Sequence, residues 1–294
     1  MTTGLAGQRM QAGSKPLEGG RRTRGERAEG SSSQPLVSVV TVVFNGATHL
    51  EETIVSVASQ TWSPVEHIII DGGSTDGTLD ILRRHDDKLG YWLSEPDSGI
   101  YEAMNKGVDL VTDPESYILF ANADDHLYSP EAIERAMTAS SGEDLVYGRM
   151  VLSDDYISGI VGRRVDLDDL ARQTLCHPST FTRKKVFDRV GKFDTSYTIA
   201  ADYDHIVRCF AAPVSTRFVD VIVSRMRMGG RSEEQFMLSC RERKAVIRRR
   251  FPLLPRLRGV TRVNLYDIPR NAARRWIDRA GLLGHWRALK GSSQ

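Results

Sequence analysis

Residues 36–44 read LVSVVTVVF, an unbroken run of Leu, Val and Phe interrupted only by Ser38 and Thr41. A short apolar, β-branched run of this kind predicts a strand buried on both faces of a parallel sheet. Asn45-Gly46 ends it, and from Ala47 the period changes, with Leu50, Ile54, Val57 and Ala58 on one helical face. A second strand is predicted at 66–71 (EHIIID), followed by Gly72-Gly73. Ser74 or Thr75 is then placed to cap the next helix, with Asp76 in its first turn. A third strand follows at 90–94. The next helix carries Ile100, Ala103, Met104, Val108 and Val111 on one face, and 117–122 (YILFAN) is a fourth strand. A helix with Ala132, Ile133, Ala136 and Met137 inside and a strand at 144–152 complete the series. This alternation predicts an α/β chain, a Rossmann-like, mostly parallel sheet flanked by helices. Ligands of such sheets bind at the carboxyl ends of the strands. There the chain places Asn45, Asp71, Asp97 and Asp124-Asp125.

The remainder is less regular. It reads as a β-rich stretch to about 161, a helix near Asp168, and the block HPSTFTRKKVFDRVGKFD from His177. A helix near Ala200 buries Tyr203, Ile206, Val207 and Phe210, a strand runs over about 217–223, and a helix from Ser232 carries Phe236, Cys240 and Ile247. At 294 residues, 40% hydrophobic and 27% charged, the chain is expected to be a soluble globular protein with a sizeable core. Cys176, Cys209 and Cys240 form no disulfide framework or CxxC pair, and a reducing, cytoplasmic setting is expected. No apolar run approaches the roughly 20 residues of a membrane span, and the N-terminus has no signal-like apolar region.

Charge divides the chain in three. Residues 1–34 hold 6 basic and 3 acidic side chains and are expected to be disordered. Residues 35–240 hold 19 basic and 32 acidic, net −13, and are expected to be the folded body. Residues 241–294 hold 15 basic and 3 acidic, net +12, a basic helical tail. The body is a poor surface for nucleic acid.

Several nucleotide chemistries are disfavoured at once. The first turn, FNGATH, is not the G-x-G-x-x-G of a dinucleotide fold, and neither a P-loop nor a G-x-S-x-G elbow occurs. By contrast VVTVVFN, IIIDGGSTDGT, SEPDSGIYEAMNKGV, FANADD and HPSTFTRKKVFDRVGKFD followed by AADYDHIVR stand together over about 35–232. In kind and order these blocks resemble the bacterial family 2 glycosyltransferases. That resemblance implies a GT-A fold and inverting transfer from a nucleotide-diphosphate sugar, most simply a UDP-sugar, to a hydroxyl of a glycan or lipid-linked acceptor. Cell-surface polysaccharide or glycolipid synthesis is the setting it implies. The rivals are a nucleotidyltransferase on a similar fold, which would be expected to carry a Gly- and Arg-rich phosphate loop after the first strand, and a catalytically silent binding protein, against which the retention of Asp124 and Asp202 argues.

The resemblance also implies roles. Thr41, Phe44 and Asn45 would lie against base and ribose, with Asp71 and the neighbouring Ser74 completing that side. Asn122-Ala123-Asp124 stands in the place of a D-x-D motif, so Asp124 would anchor a Mg²⁺ or Mn²⁺ bridging the donor phosphates. Asn122, where the motif has Asp, could hydrogen-bond ribose, and Asp125 could hold the sugar. Asp97, Asn105 and Lys106 would serve sugar or phosphate, the alternative for Lys106 being a solvated helix face. Asp202 in AADYD would be the catalytic base, with Asp204 its competitor. Two residues apart on a helix, the two cannot share a face. His177 could reach donor or metal, and Arg231, after Gly229-Gly230, could close over the diphosphate.

In the tail, Leu282, Leu283, Trp286 and Leu289 line one helical face with Arg279, Arg287 and Lys290 off it. That pattern suits an anionic membrane surface and a protein peripheral to the inner face of the cell membrane; packing on the body is the alternative. Homo-oligomerisation is left open.

Overall fold

The computed structural model describes residues 16–153, 158–227 and 234–272. Four parallel strands form the centre: β2 (Val37–Val43), β3 (Val65–Asp71), β4 (Tyr91–Ser94) and β5 (Tyr117–Phe120), in the order β4-β3-β2-β5. Beyond β5 come β9 (Thr180–Arg183), antiparallel to both neighbours, then β7 (Leu145–Ser153), β10 (Thr216–Arg227) and the two-residue β6 (His126–Leu127). β10 is parallel to β7, and β8 (Ser158–Val161) forms a hairpin with β7. The sheet is therefore mixed, with its parallel half where the apolar run of β2 predicts it.

Every residue of β2 is buried. Val40 and Val42 face α3 (Ile100–Leu110), whose Tyr101, Met104 and Val108 pack there with Ile68, Ile70, Ile118 and Phe120. Gly107 lets that helix lie close, since a Cβ there would stand 2.4 Å from Val40 Cγ1. Val37 and Val39 face the other way, toward Val57 of α1 (Leu50–Ala58) and the Ile133, Ala136 and Met137 stripe of α4 (Ala132–Thr138). Val43 and Ile69 meet α1 and α2 (Thr78–Arg84) through Ile54, Ile81 and Leu82. Helices thus cover both faces, which is why the strand tolerates no polar alternation. The helix after β3 starts later than expected. Neither Ser74 nor Thr75 caps it; Gly77, at φ 99°, precedes Thr78, whose N–H and hydroxyl both donate to Asp76.

A second core lies under the C-terminal half. It joins α5 (Leu167–Leu170), α6 (Lys184–Val190), α7 (Ala201–Ala211) and α8 (Phe236–Arg250) through Leu170, Val186, Tyr203, Val207, Cys240, Val246 and Ile247. Phe251 and Val263 extend it to α9 (Leu253–Arg262) and the residues after it. The expected boundary between residues 240 and 241 therefore falls inside one helix. The first part of the basic segment is structural, while Leu282, Leu283, Trp286 and Leu289 lie outside the described residues.

The expectation of disorder over 1–34 is corrected from residue 16 onward. β1 (Leu17–Gly19) pairs antiparallel with β4 at the sheet edge. Arg22 behind it donates to both oxygens of the buried Glu66 at 2.6 and 2.5 Å, and to the Leu110 carbonyl at 2.7 Å. A bidentate ion pair orders this piece, so a count of large apolar residues underrates it.

Candidate active site

The loops after β2, β3, β4 and β5 converge, as parallel strand ends must. After β2, Phe44 holds its ring 60% exposed, and Asn45 takes a left-handed turn at φ 52°. The Asn45 N–H donates to Ser74 Oγ, and its Oδ1 accepts from the Thr75 N–H at 2.9 Å, which ties this turn to the turn after β3. Asp71 sits beneath. It is wholly buried and accepts from the Ser74 N–H and hydroxyl and from Ser94 Oγ at 2.6 Å. Thr41 is also wholly buried and bonds His67 Nε2 at 2.9 Å. Of this expected set, Phe44 and Asn45 are open to a ligand, Ser74 is tied to both turns, and Asp71 and Thr41 shape the floor from inside.

The PDSG loop is similarly built. Asp97 accepts from the Gly99 N–H and lies over Gly72, where a Cβ would come within 2.7 Å of its carboxylate. Burial raises its pKa above the ordinary carboxylate range. Lys106 reaches Glu95 at 2.8 Å, Glu102 at 3.4 Å and the Pro96 carbonyl at 3.3 Å, so it braces this loop and is neither a free phosphate partner nor a solvated cation. Asn105 is not in the site. Its amide pairs with the N–H and the carbonyl of Phe193, both at 3.0 Å, and so pins the chain leading to α7.

At the end of β5, Asn122, Asp124 and Asp125 turn back under the opening. Asp125 is buried, accepts from the Asn122 N–H, and is pushed up to about 7 by burial, with His177 opposing and Asp124 adding to the rise. Asp125 Oδ1 and Asn122 Oδ1 have no hydrogen-bond partner among the described residues. Asp124 beside them is partly exposed. Two unpartnered oxygens next to an accessible carboxylate fit a hard cation. No group of three or more His, Cys, Asp or Glu able to hold a metal occurs among the described residues, so such an ion would draw further ligands from a bound anion.

His177 links this corner to α7. Its Nε2 lies 3.1 Å from Asn122 Nδ2 and its Nδ1 lies 3.3 Å from Asp202 Oδ2. With the amide donating to Nε2, the ring proton sits on Nδ1 and donates to Asp202. Turning the amide over would set its unpartnered Oδ1 on a protonated Nε2, so the bridge suits both charge states of the ring. Burial lowers the His177 pKa, but Asp202, Asp125 and Asp124 outweigh it and raise it. Burial likewise works against charge on Asp202, yet His177, the Tyr203 N–H and Tyr101 hold it below the usual carboxylate range. Asp202 remains about one-fifth exposed, at 21%.

Asp204 points away. It is fully buried between Arg208 at 2.8 Å and Arg250 at 2.9 Å, so the helix separates the two carboxylates as their spacing requires. Arg231 lies outside the described residues.

Two residues of the site carry no sequence expectation. Tyr101 donates to the Ile199 carbonyl at 2.6 Å and stands 3.1 Å from Asp202 Oδ1. Glu242 of α8 accepts from the N–H groups of Thr198, Ile199 and Ala200 at 2.9, 2.8 and 3.0 Å, the turn that aims Asp202. Its signal in the sequence is a lone acid in the run RERK from Arg241.

A family model, Glycosyl transferase family 2, matches residues 38–197, a span running from β2 past His177. The chain belongs to glycosyltransferase family 2. This transferase is 37% identical over 199 residues to a PGL/p-HBAD biosynthesis glycosyltransferase of Mycobacterium bovis, covering 65% of the present chain and 76% of that protein. It is 30% identical over 230 residues to an uncharacterized glycosyltransferase of Mycobacterium tuberculosis, covering 75% and 87%. Among solved structures, a mannosyltransferase from Pyrobaculum calidifontis in complex with GDP-Man and Mn²⁺ superposes with a TM-score of 0.61 at 17% identity, over 92% of this transferase and 85% of that chain. The S. aureus TarS 1–349 structure with UDP-GlcNAc gives 0.59 at 17% identity, over 77% and 71%. Both likenesses support the fold. No helix among the described residues is long and apolar enough to cross a membrane.

Proposed function

We propose that this glycosyltransferase inverts configuration as it moves a sugar from a nucleotide-diphosphate donor, most simply UDP-linked, to a hydroxyl of a lipid-linked or glycan acceptor. The observation that carries the reading is the relay Asn122–His177–Asp202, which joins the Asp124 corner to an ionised carboxylate. The Phe44 face stacks the base, Asn45 meets the ribose, and Asp71 with Ser74 sets the turn that holds them. Asp97, held over Gly72, would meet the sugar. Asp124 would hold Mg²⁺ or Mn²⁺, which when bound neutralises the departing diphosphate.

Asp202 takes the proton of the acceptor hydroxyl as that oxygen attacks the anomeric carbon from the face opposite the phosphate. The bond from carbon to phosphate oxygen breaks, and the nucleoside diphosphate carries away the electron pair. A carboxylate held below the ordinary range is charged at neutral pH and therefore ready to accept that proton. The His177 Nδ1–H fixes one Asp202 oxygen and leaves the carboxylate oriented. Solved structures of the fold with UDP-GlcNAc and with GDP-Man and Mn²⁺ support the donor class, and the relatives named for PGL/p-HBAD biosynthesis support a lipid-linked acceptor. The test is release of free nucleoside diphosphate from a panel of UDP-, GDP- and dTDP-sugars with and without Mn²⁺. The reading requires at least one donor to be bound and consumed in a metal-dependent way; indifference to every donor overturns it.

A further inference from the structure

The outer face of α9 and the turn after it exposes large aliphatic side chains among its arginines. The helix is firmly seated by its inner face. Gly259 lies so close to the Ala171 carbonyl that a Cβ would stand 2.4 Å from that oxygen, and Val263 just beyond the helix is fully buried. Outward, Leu253, Leu254, Leu257 and Leu265 are 64%, 68%, 55% and 75% exposed. A contiguous set of large exposed aliphatic side chains marks a partner surface. Beside them a groove of about 500 Å³ brings Leu257 and Leu265 together with Arg172, Arg258 and Arg262. Arg172 pairs with Asp169 at 3.1 Å and Arg262 reaches Asp267 only at 3.9 Å, while Arg258 has no carboxylate partner among the described residues.

We propose that this face docks on an anionic phospholipid membrane, the leucines entering the headgroup–acyl boundary and Arg258 and Arg262 meeting lipid phosphates. Guanidinium groups interleaved with long aliphatic side chains on one helix match that boundary, where apolar burial and charge act together. A nucleic acid would use the arginines but leave the leucines in water. The placement deepens the proposed function, on which its consequence for the acceptor rests. Arg172 is five residues before His177, so the groove lies within about 18 Å of chain reach from the catalytic relay. A hydroxyl carried by a lipid docked there would then lie near the relay that includes Asp202.

The full-length protein is tested by flotation with vesicles of phosphatidylcholine alone and of phosphatidylcholine with phosphatidylglycerol, beside a triple variant L253S/L254S/L257S, a double variant R258Q/R262Q, and a chain lacking residues 273–294. Thermal melting and UDP binding of each protein report the fold and the donor site separately from docking. The proposal expects capture only by the anionic vesicles, decreasing as salt rises. The leucine variant should lose at least about tenfold in vesicle affinity with melting and UDP binding unchanged, and the arginine variant should show a shallower salt dependence. Absence of binding to anionic vesicles at low salt overturns the proposal, as does full binding by the leucine variant. Binding that survives in the leucine variant and vanishes with residues 273–294 moves the surface to the terminal segment and also overturns it. Failure to bind UDP in all proteins, with vesicle capture intact, would instead count against the donor reading.

Discussion

Glu242→Ala should cripple catalysis from a residue that touches neither donor nor acceptor. The Glu242 side chain is 8% exposed and accepts from three successive backbone N–H groups, at Thr198, Ile199 and Ala200, immediately before α7. Removing it leaves those donors without a partner in a half-buried turn. An unsatisfied buried donor costs ~1–3 kcal/mol, and water admitted to the site offsets part of that, so a loss of about 3 kcal/mol is expected for the three together. For a domain of this size that is a melting temperature lower by roughly 5–10 °C, within a total stability of only ~5–15 kcal/mol. The kinetic effect is distinct. Tyr101 also holds this turn, through the Ile199 carbonyl, and Asp202 follows it by three residues. A shift of about 1 Å in a reacting group can cost roughly 10²-fold in rate. Steady-state kinetics well below the melting transition should therefore show kcat reduced by about that factor with donor KM little changed. Glu242→Gln, which keeps one acceptor oxygen, should recover part of both losses. A melting temperature within 1 °C of wild type, or a normal kcat for Glu242→Ala, would show that Glu242 does not hold the turn that aims Asp202.

Other outcomes follow from the same geometry. Phe44→Ala should weaken nucleotide binding by about tenfold or more, since base–aromatic stacking is worth ~1–3 kcal/mol, and leave the melting temperature unchanged because the ring is 60% exposed; calorimetric titration with UDP checks both halves. Asp124→Ala should abolish transfer and remove the gain in UDP affinity that Mn²⁺ confers, and unchanged activity in EDTA would exclude a metal anchored there. His67 is held neutral by burial, its pKa lowered from 6.5 to about 3, so protonation favours the unfolded chain and stability falls as pH drops below 6.5 toward 3. Asp125, pushed up to about 7, works in the opposite direction, so the informative quantity is a difference. Between pH 7 and 5.5, wild type should lose about 1 kcal/mol more than His67→Gln, read by denaturant unfolding.

The parallel half of the fold is legible because each strand there is buried on both faces and each helix has one apolar stripe. β2, β3, α3 and β5 stand within a residue or two of their predicted limits, and α1 begins at Leu50, three residues after the change of period at Ala47. What the sequence conceals depends on pairing across long separations. β1 is held by Arg22 and Glu66, 44 residues apart, and no local pattern reports such a contact. The domain boundary expected at 240 follows the change in charge. The chain follows burial, so Val246 and Ile247 continue inward while Arg248 and Arg249 stay in solvent. At the site, a residue's chemistry is visible in the sequence but its direction is not. Thr41 and Asp71 are polar residues at strand ends and read as ligand contacts, yet both are satisfied internally by His67, Ser74 and Ser94. Asn105 and Lys106 sit in the right block but spend their hydrogen bonds on Phe193 and on Glu95 and Glu102. Asp202 and Asp204 are separable in advance only as opposite faces of one helix, and the arginine partners of Asp204 show which one is turned away from His177.

We propose that Asp202, oriented by His177 and Tyr101, is the base that activates the acceptor. Turnover and nucleotide affinity measured side by side for Asp202→Asn and Asp204→Asn test it most directly. The amide keeps the shape of Asp202 but cannot take the proton, so kcat should fall by roughly 10²–10⁴ while UDP binding stays near wild type. Asp204→Asn should instead lower the melting temperature by loosening Arg208 and Arg250, with kcat largely kept in the folded protein. Near-normal turnover by Asp202→Asn, with turnover lost in a folded Asp204→Asn, would exclude Asp202 and move the base to the other carboxylate.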